Sequence, residues 1–238
     1  MLFDNPAASL QAILERGVAE KNDQPCHAVW SRILELKPDE PGGLFSKLSA
    51  VMDLPRRTLV LLQASFPNQV AAAQIWMGPV ESGFMQQQLN AQWSTFSAHI
   101  QPYCIAQLGL TAELIQTRLG AELMEEEDLL KVLSDLSELQ DEIDRSVIDR
   151  ALKAYLCRGL SELQHTIRNY RISGALPILN QTEAMVGHSL LDPAYSSFLK
   201  NHALGARLLE NLSAMANLLT VAVSLPQLTQ ALGGHLLK

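Results

Sequence analysis

The chain has 238 residues, of which 47% are hydrophobic, 18% charged and only 5% aromatic, and its formal net charge is −7. This length is sufficient for one large hydrophobic core or two smaller ones. An acidic chain without a basic stripe cannot neutralise several phosphates at once, so the composition excludes sequence-independent nucleic-acid binding. Leu and Ala dominate and runs of β-branched residues are absent, which predicts an all-α protein.

The N-terminal part of the chain predicts short helices separated by prolines. Asn5-Pro6 supplies a helix cap and a first helical residue, so we expect a helix over residues 6–20. Another helix is expected over residues 44–52, and Pro55 is expected to begin the next one, because proline is best tolerated in a first helical turn.

Two further apolar segments follow in the first half of the chain. Residues 58–77 are strongly apolar and predict buried helix, which Pro67 divides or kinks. Residues 81–100 are rich in glutamine and carry Phe84, Met85, Leu89, Trp93 and Phe96 on one face of a predicted helix that Pro102 ends.

The best candidate for a domain boundary lies at Gly109. The local sequence Leu108-Gly109-Leu-Thr111 combines a glycine with a residue that can cap a new helix. We therefore predict an N-terminal helical half over residues 1–108 and a C-terminal helical half over residues 109–238. Together they form an all-α bundle of about ten helices in two packed halves.

Residues 129–190 carry the clearest periodic pattern. Apolar residues recur at steps of three or four, which predicts one buried helix face: Val132, Leu136, Leu139, Ile143 and Val147. A second stripe predicts another helix: Ile148, Leu152, Leu156, Leu160, Leu163, Ile167 and Tyr170. A third helix is predicted over residues 175–190, with Leu176, Leu179, Val186 and Leu190 facing inward. Three amphipathic helices with short links pack as antiparallel neighbours.

Four residues are predicted to form the structural hinges between these helices. We place the first break at about Arg145, because Ser146-Val-Ile-Asp149 matches a capping box in which Ser146 caps the helix and Asp149 reaches back. Gly174, which follows the segment at Tyr170, is predicted to be a left-handed helix stop. The predicted hinge residues are thus Ser146, Asp149, Tyr170 and Gly174.

The same region contains a recognisable segment. The run Leu163-Gln-His-Thr-Ile167-Arg-Asn-Tyr170-Arg-Ile172-Ser-Gly174, followed by Leu176 and Gly187, resembles a segment in a loose set of uncharacterised all-helical bacterial proteins. Some of those proteins come from mobile-element or defence neighbourhoods. The shared pattern is an apolar residue, two residues, Tyr, one residue, Ile, one residue and Gly. The resemblance implies a helical fold and no particular chemistry.

Negative charge is concentrated in residues 122–149, which hold eleven acidic and two basic residues. The acid run at its start complements the dipole of the predicted helix. We expect this acidic face to contact a basic surface, either on residues 150–171 of this chain or on a protein partner. The candidate partner-binding residues are Glu125, Glu126, Glu127, Asp128, Asp135, Glu138 and Glu142.

Motifs that would indicate an enzyme or a cofactor site are missing from the sequence. It contains no GxGxxG, GxxxxGK[ST] or GxSxG motif, and the histidines do not form HExxH. Glu162 and His165 make one carboxylate–imidazole pair, whereas a di-metal site in a helical bundle needs two such pairs and two further glutamates. We therefore expect no metal and no cofactor, and we assign no catalytic residue.

Residues 212–237 contain no Asp, Glu, Lys or Arg. A bilayer requires about 20 apolar residues, so the length suffices for a span. Polar residues such as Asn217 and Gln227 are costly in hydrocarbon, and Leu212, Met215, Leu218, Leu219, Ala222 and Leu225 recur at helical steps. We expect a helix packed on the protein, with membrane insertion as the alternative.

These observations favour a non-enzymatic helical interaction or regulatory protein, in a bacterial defence or mobile-element system. The alternatives are a membrane-active effector that uses residues 212–237, and an enzyme on a helical scaffold. Scattered cysteines in odd number (Cys26, Cys104 and Cys157) and a first segment without a basic region predict a cytoplasmic protein. A protein partner is expected, with a homo-oligomer left open, and no nucleic acid.

Overall fold

The computed structural model describes residues 4–36, 43–118 and 124–223. Within these ranges the predicted all-α fold is confirmed, since the chain forms helices and no strand. Two compact units are present: an N-terminal unit of Met1–Leu119 with Arg171–Ser173, and a C-terminal unit of Gly120–Tyr170 with Gly174–Lys238. The boundary that we predicted between residues 108 and 109 falls inside a helix, and the units divide later in the chain.

The N-terminal unit contains six α-helices and a short 3-10 turn at Pro67–Gln69. Asn5 caps the first helix as expected, and its Oδ1 accepts a hydrogen bond from the Ala8 amide at 3.1 Å. The helices are α1 (Pro6–Val18), α2 (Cys26–Ile33), α3 (Gly43–Ser65), α4 (Val70–Gln86), α5 (Ser94–Ser97) and α6 (Pro102–Gln116).

The break predicted before Pro55 is wrong, because α3 runs through this proline without ending. A proline inside a helix costs about 3 kcal/mol through its missing amide and its clash with the preceding turn. Here Leu54, Pro55 and Thr58 are buried together, so the packing of one helix face offsets that cost. At this position the burial of the helix face outweighs the low helix propensity of proline.

The helix predicted over residues 81–100 is also wrong. Helix α4 ends at Gln86, and the chain then crosses to the start of α2. The Cys26 amide donates to the Ala91 carbonyl at 2.8 Å, and the His27 amide donates to the Leu89 carbonyl at 2.9 Å. The first amides of a helix have no partner within it. This crossing segment supplies two of those partners, which a continuous helix could not do.

An aromatic cluster forms the centre of the N-terminal core. The indole of Trp30 lies 5.0 Å from that of Trp93 and 4.9 Å from the ring of Phe96, centroid to centroid. Trp93 Nε1 donates to the Gly17 carbonyl at 2.9 Å, and Trp30 Nε1 donates to Gln87 Oε1 at 2.7 Å. Both indoles therefore keep a hydrogen bond when buried.

The C-terminal unit is built from long amphipathic helices. Helix α7 packs on α8 and on α12, and α10 packs on α8. A short helix, α9, follows α8 in the chain, and its residues Arg171–Ser173 belong to the N-terminal unit. The bounds are α7 (Glu126–Arg145), α8 (Arg150–Arg168), α9 (Tyr170–Ser173), α10 (Leu176–His188), α11 (Pro193–Asn201) and α12 (Ala203–Val223).

The predicted apolar stripes of α7 and α8 are largely confirmed. Buried members are Val132, Leu136, Leu139, Ile143, Leu156, Leu160, Leu163, Ile167 and Tyr170. Val147 is fully exposed, because it lies beyond the last residue of α7. Leu176 and Leu190 are exposed as well. Helix α10 buries Leu179 as predicted, together with Ile178, Thr182 and Met185.

The first predicted hinge is correct in place but wrong in mechanism. Helix α7 ends at Arg145, and Ser146 closes it, since the Ser146 hydroxyl donates to the Ile143 carbonyl at 2.6 Å. Asp149 alone caps α8: its Oδ2 accepts from the amides of Ala151 at 2.9 Å and Leu152 at 3.0 Å. In a capping box the Ser146 hydroxyl would accept a hydrogen bond from an amide at the start of α8. Here the hydroxyl donates to a carbonyl at the end of α7 instead.

The second predicted hinge is correct in place, since Gly174 ends the short helix α9 with a positive φ, but its ψ differs from that of a left-handed helical stop. Its φ of 75° and ψ of −167° lie in a region that only glycine adopts readily. The buried Tyr170 before it accepts a hydrogen bond on its hydroxyl from the Met124 amide at 3.1 Å.

The capping geometry makes a prediction for two neighbouring residues. Asp149→Ala should lower the free energy of unfolding by about 1 kcal/mol, because two helix amides lose their acceptor. Ser146→Ala should cost less, since the Ile143 carbonyl that it contacts can bond water instead. Chemical denaturation of both variants, followed by circular dichroism, measures the difference. An equal loss in the two variants, or a larger loss for Ser146→Ala, would contradict the assignment.

The predicted packed helix at the C-terminal end is confirmed as far as its side chains are described. Leu212, Met215, Ala216 and Leu219 of α12 are buried, while Leu218 is half-buried. The remaining predicted positions, the Ala222 side chain and Leu225, lie outside the described residues, as does residue range 224–238. Helix α12 is thus part of the C-terminal core along most of its length.

Candidate functional site

The acidic residues selected from the sequence lie on α7, and part of the row is engaged within the C-terminal unit. Glu142 Oε1 lies 2.6 Å from Arg207 Nη1 on α12. The hydrogen bond that Arg207 donates to Glu142 raises the pKa of Arg207, and the charges of Glu142, Glu138 and Asp135 raise it further. Among the described residues, the base that pairs with a carboxylate of this row is Arg207 of α12. From residues 150–171, Lys153 reaches the end of α7, where it donates to the backbone carbonyls of Asp144 at 2.7 Å and Ser146 at 2.8 Å.

The other acidic candidates stand at the start of α7. Glu125, Glu127 and Asp128 are exposed, and the side chain of Glu126 lies outside the described residues. Carboxylates at this end of a helix are stabilised by its dipole. Their position is explained by helix stability, and no second group from the described residues approaches them to define a site.

A cluster of aromatic residues joins three helices of the C-terminal unit. The Tyr155 ring stacks on His188 at 3.9 Å, and both rings contact Tyr195 at 5.2 and 5.3 Å, between centroids. His188 Nε2 lies 3.5 Å from Asp192 Oδ2. Asp192 also caps α11. The hydrogen bonds that its carboxylate accepts from the backbone amides of Tyr195 and Ala194 lower the pKa of this carboxyl, with the Tyr195 bond as the larger cause. Sequence reading missed this cluster, because Tyr155 lies 33 residues before His188 and 40 before Tyr195, and the three residues share no motif.

This cluster is best explained as packing. Its rings are in mutual contact, so no ligand could enter between Tyr155 and His188. The Tyr195 hydroxyl is buried and has no hydrogen-bond partner among the described residues. Burial of that hydroxyl raises the pKa of Tyr195. A neutral phenol that holds three helices together needs no reactive role.

The cysteine and histidine candidates are also structural. Cys26 is buried with its Sγ 3.7 Å from Gln87 Oε1, and burial raises the pKa of this thiol to about 11. Such a thiol is a poor nucleophile at neutral pH. His165 Nε2 lies 3.0 Å from Nδ2 of the buried Asn169, so this imidazole is hydrogen-bonded to a residue one turn further along the chain. Among the described residues no group of three or more His, Cys, Asp or Glu could hold a metal ion.

The surface that remains unexplained lies on α4 and α6 of the N-terminal unit. These two neighbouring helices contain one charged residue each, Glu81 and Glu113, and no Lys or Arg. A helix that is apolar all round is normally buried. Helix α6 nevertheless exposes Tyr103 by 52% and Leu110 by 60%, with Ala106 exposed between them. We call these three residues the α6 stripe.

A shallow groove runs beside the α6 stripe, between the end of α1 and the start of α6. Its volume is about 430 Å³, and its lining is apolar except for one carboxylate: Glu15, Val18, Ile100, Pro102 and Ile105. The start of α1 meets the end of α6, because Asn5 Nδ2 donates to the Ala112 carbonyl at 2.9 Å. The two helices are thus antiparallel, and the groove is the seam between them.

Sequence reading missed this surface, although one signal was present. Residues 102–116 contain a single charge, which is too few for the outer side of an ordinary surface helix. Only the structure shows which of the apolar residues in this helix face outward.

Within the described residues, every helix is too short or too polar to cross a bilayer. Comparisons with protein-family models, with curated proteins and with solved structures find no match to this chain.

Proposed function

We propose that the protein is a non-enzymatic binding module, whose binding surface is the α6 stripe together with the groove between α1 and α6. The observation that supports this most is the exposure of Tyr103 and Leu110 on a helix with one charged residue. Contiguous apolar patches with a polar rim mark sites of protein interaction on otherwise water-soluble surfaces.

The composition of the surface agrees with such a role. Tyrosine is enriched in interfaces because it supplies a large contact area with few rotatable bonds. Complete burial of a leucine side chain contributes about 1.5–3 kcal/mol, and Leu110 is more than half exposed. Covering Tyr103 and Leu110 with a partner would recover a substantial part of that energy.

The biological setting of the partner is suggested by the resemblance of residues 163–174. Proteins with that segment include some from mobile-element and defence neighbourhoods of bacteria. The partner is therefore best sought among proteins encoded beside this chain, and its role would be regulatory.

The proposal is tested by photo-crosslinking inside the native cell. A benzophenone amino acid replaces Tyr103 in one variant and Val147, which is fully exposed in the C-terminal unit, in a matched control. We expect a discrete adduct from position 103 only, and its loss when Leu110→Asp is added. The folded state of each variant is checked by circular dichroism.

Two results would contradict the proposed surface. One is the same adducts from positions 103 and 147, which would indicate collision and not binding. The other is an adduct from position 103 that persists in the Leu110→Asp variant, because an acidic side chain in the centre of an apolar contact should prevent it.

A further inference from the structure

We infer that the α6 stripe and its groove bind an amphipathic α-helix that carries Lys or Arg beside its apolar face. This inference rests on the proposed function and specifies the chemistry of the partner. Three features lead to it: the shape of the surface, the sign of the charges around it, and the state of the carboxylate in the groove.

The shape of the surface suits a helix. Tyr103, Ala106 and Leu110 stand at steps of three and four along α6, and the groove follows the seam between antiparallel α1 and α6. Helix-in-groove recognition uses apolar anchors at this same spacing. An extended peptide gains affinity by adding a strand to a sheet edge. The described residues form no strand, so that mode has no template here.

Three carboxylates lie at or beside this surface. Glu15 lies in the groove, Glu113 continues the exposed side of α6, and Glu81 lies on the neighbouring α4. Arg16 follows Glu15, but it is engaged elsewhere, with Glu35 at 3.0 Å and with the Ile33 carbonyl at 3.2 Å. Within the part of the chain that the structure describes, Arg16 is the base next to these carboxylates and it pairs with Glu35, so a basic residue on the partner would meet carboxylates that have no ion pair there.

The groove carboxylate is available for such a contact. Glu15 Oε1 accepts a hydrogen bond from Gln11 Nε2 at 2.9 Å, which is a neutral donor on its own helix. Hydrogen bonds between a carboxylate and a Lys or Arg are shorter and roughly twice as strong as neutral ones. A cationic donor from a partner would thus replace or supplement the Gln11 contact with a gain in energy.

The same charges argue against a second copy of this chain as the occupant. Self-association through this surface would bring Glu15 and Glu113 of one copy toward those of the other. Like charges brought together in an interface oppose binding. Neither α4 nor α6 contains a Lys or Arg that could compensate for that repulsion.

Two synthetic peptide helices of equal length test the inference. Both carry leucines at positions i, i+3 and i+7; one has lysines beside them and the other has glutamates at the same places. Fluorescence anisotropy with the full chain at low ionic strength should show binding of the lysine peptide only. Leu110→Asp should weaken that binding more than about tenfold.

The carboxylates are tested with charge-matched variants. Glu15→Gln and Glu113→Gln should each weaken the lysine peptide about two- to fivefold, as expected for ion pairs at the rim of an interface. Glu127→Gln, an exposed acid at the start of α7, changes the net charge equally and should leave the affinity unchanged.

Three outcomes would overturn the inference. In the first, Glu127→Gln weakens binding as much as Glu15→Gln, which would show nonspecific attraction to an acidic protein. In the second, the glutamate peptide binds as well as the lysine peptide. In the third, crosslinks form at position 103 in the cell but neither peptide binds, which would leave the surface in place with a partner of other chemistry. Failure of the crosslinks as well would remove the proposed function itself.

Discussion

Gly205→Ala is expected to lower the free energy of unfolding of the C-terminal unit by about 3 kcal/mol or more, because the added methyl group would overpack the site. A Cβ atom at this position would overlap the Phe198 carbonyl oxygen and lie 2.8 Å from Leu199 Cα. Both atoms belong to the backbone of α11, so they cannot rotate away as a flexible side chain would. Relief requires α12 to shift away from α11 along the face that both helices bury.

Hydrogen exchange followed by mass spectrometry measures this effect locally. Peptides from α11 and α12 should exchange faster in the Gly205→Ala variant. Gly187→Ala is the matched control, because Gly187 also lies in a helix but a Cβ there meets nothing within 4 Å. This control should be neutral or gain up to about 1 kcal/mol from the higher helix propensity of alanine. Equal protection in both variants would contradict the close approach of α11 and α12.

Trp93→Ala is expected to cost the N-terminal unit about 3–5 kcal/mol. The substitution leaves a cavity against Trp30 and Phe96, and it removes the donor to the Gly17 carbonyl. Trp93 also anchors the segment that crosses from α4 to α2, since its amide donates to the Gln24 carbonyl at 2.7 Å. The variant keeps that amide, but it loses the ring contact with Trp30 of α2, so α2 should loosen together with the core.

Urea denaturation followed by tryptophan fluorescence checks this prediction. The remaining tryptophans, Trp30 and Trp76, both lie in the N-terminal unit and report on its unfolding. Tyr103→Ala serves as the control, because that side chain is half exposed and its truncation should stay within about 0.5 kcal/mol. A Trp93→Ala variant as stable as Tyr103→Ala would show that the aromatic cluster is not the centre of the core.

Comparison of Trp93→Ala with Tyr103→Ala separates effects on stability from effects on partner binding. Tyr103→Ala should leave the fold nearly unchanged and still weaken any partner held by the α6 stripe. Core variants change both properties together. Only a surface residue with a binding effect and no stability effect supports the proposed site.

The amino-acid sequence by itself determined the helical class, the first helix with its Asn5 cap, and the buried stripes of α7 and α8. Each of these depends on interactions between residues that are close in the chain. The 3.6-residue period places side chains on one face, and a cap satisfies amides within the same turn. Gly174 was predictable for a similar reason, because its unusual backbone angles exclude other residues.

Tertiary structure decided the rest, through contacts between distant residues. Pro55 stays inside α3 because burial of its helix face exceeds a local penalty. Residues 87–93 leave the helix because the amides of α2 need their carbonyls. Arg207 meets Glu142 across sixty-four intervening positions, and the outward direction of Tyr103 and Leu110 is fixed by where α1 and α4 pack on α6. Periodicity shows that a helix has an apolar face, but only the neighbours that cover it decide which apolar residues remain exposed to bind a partner.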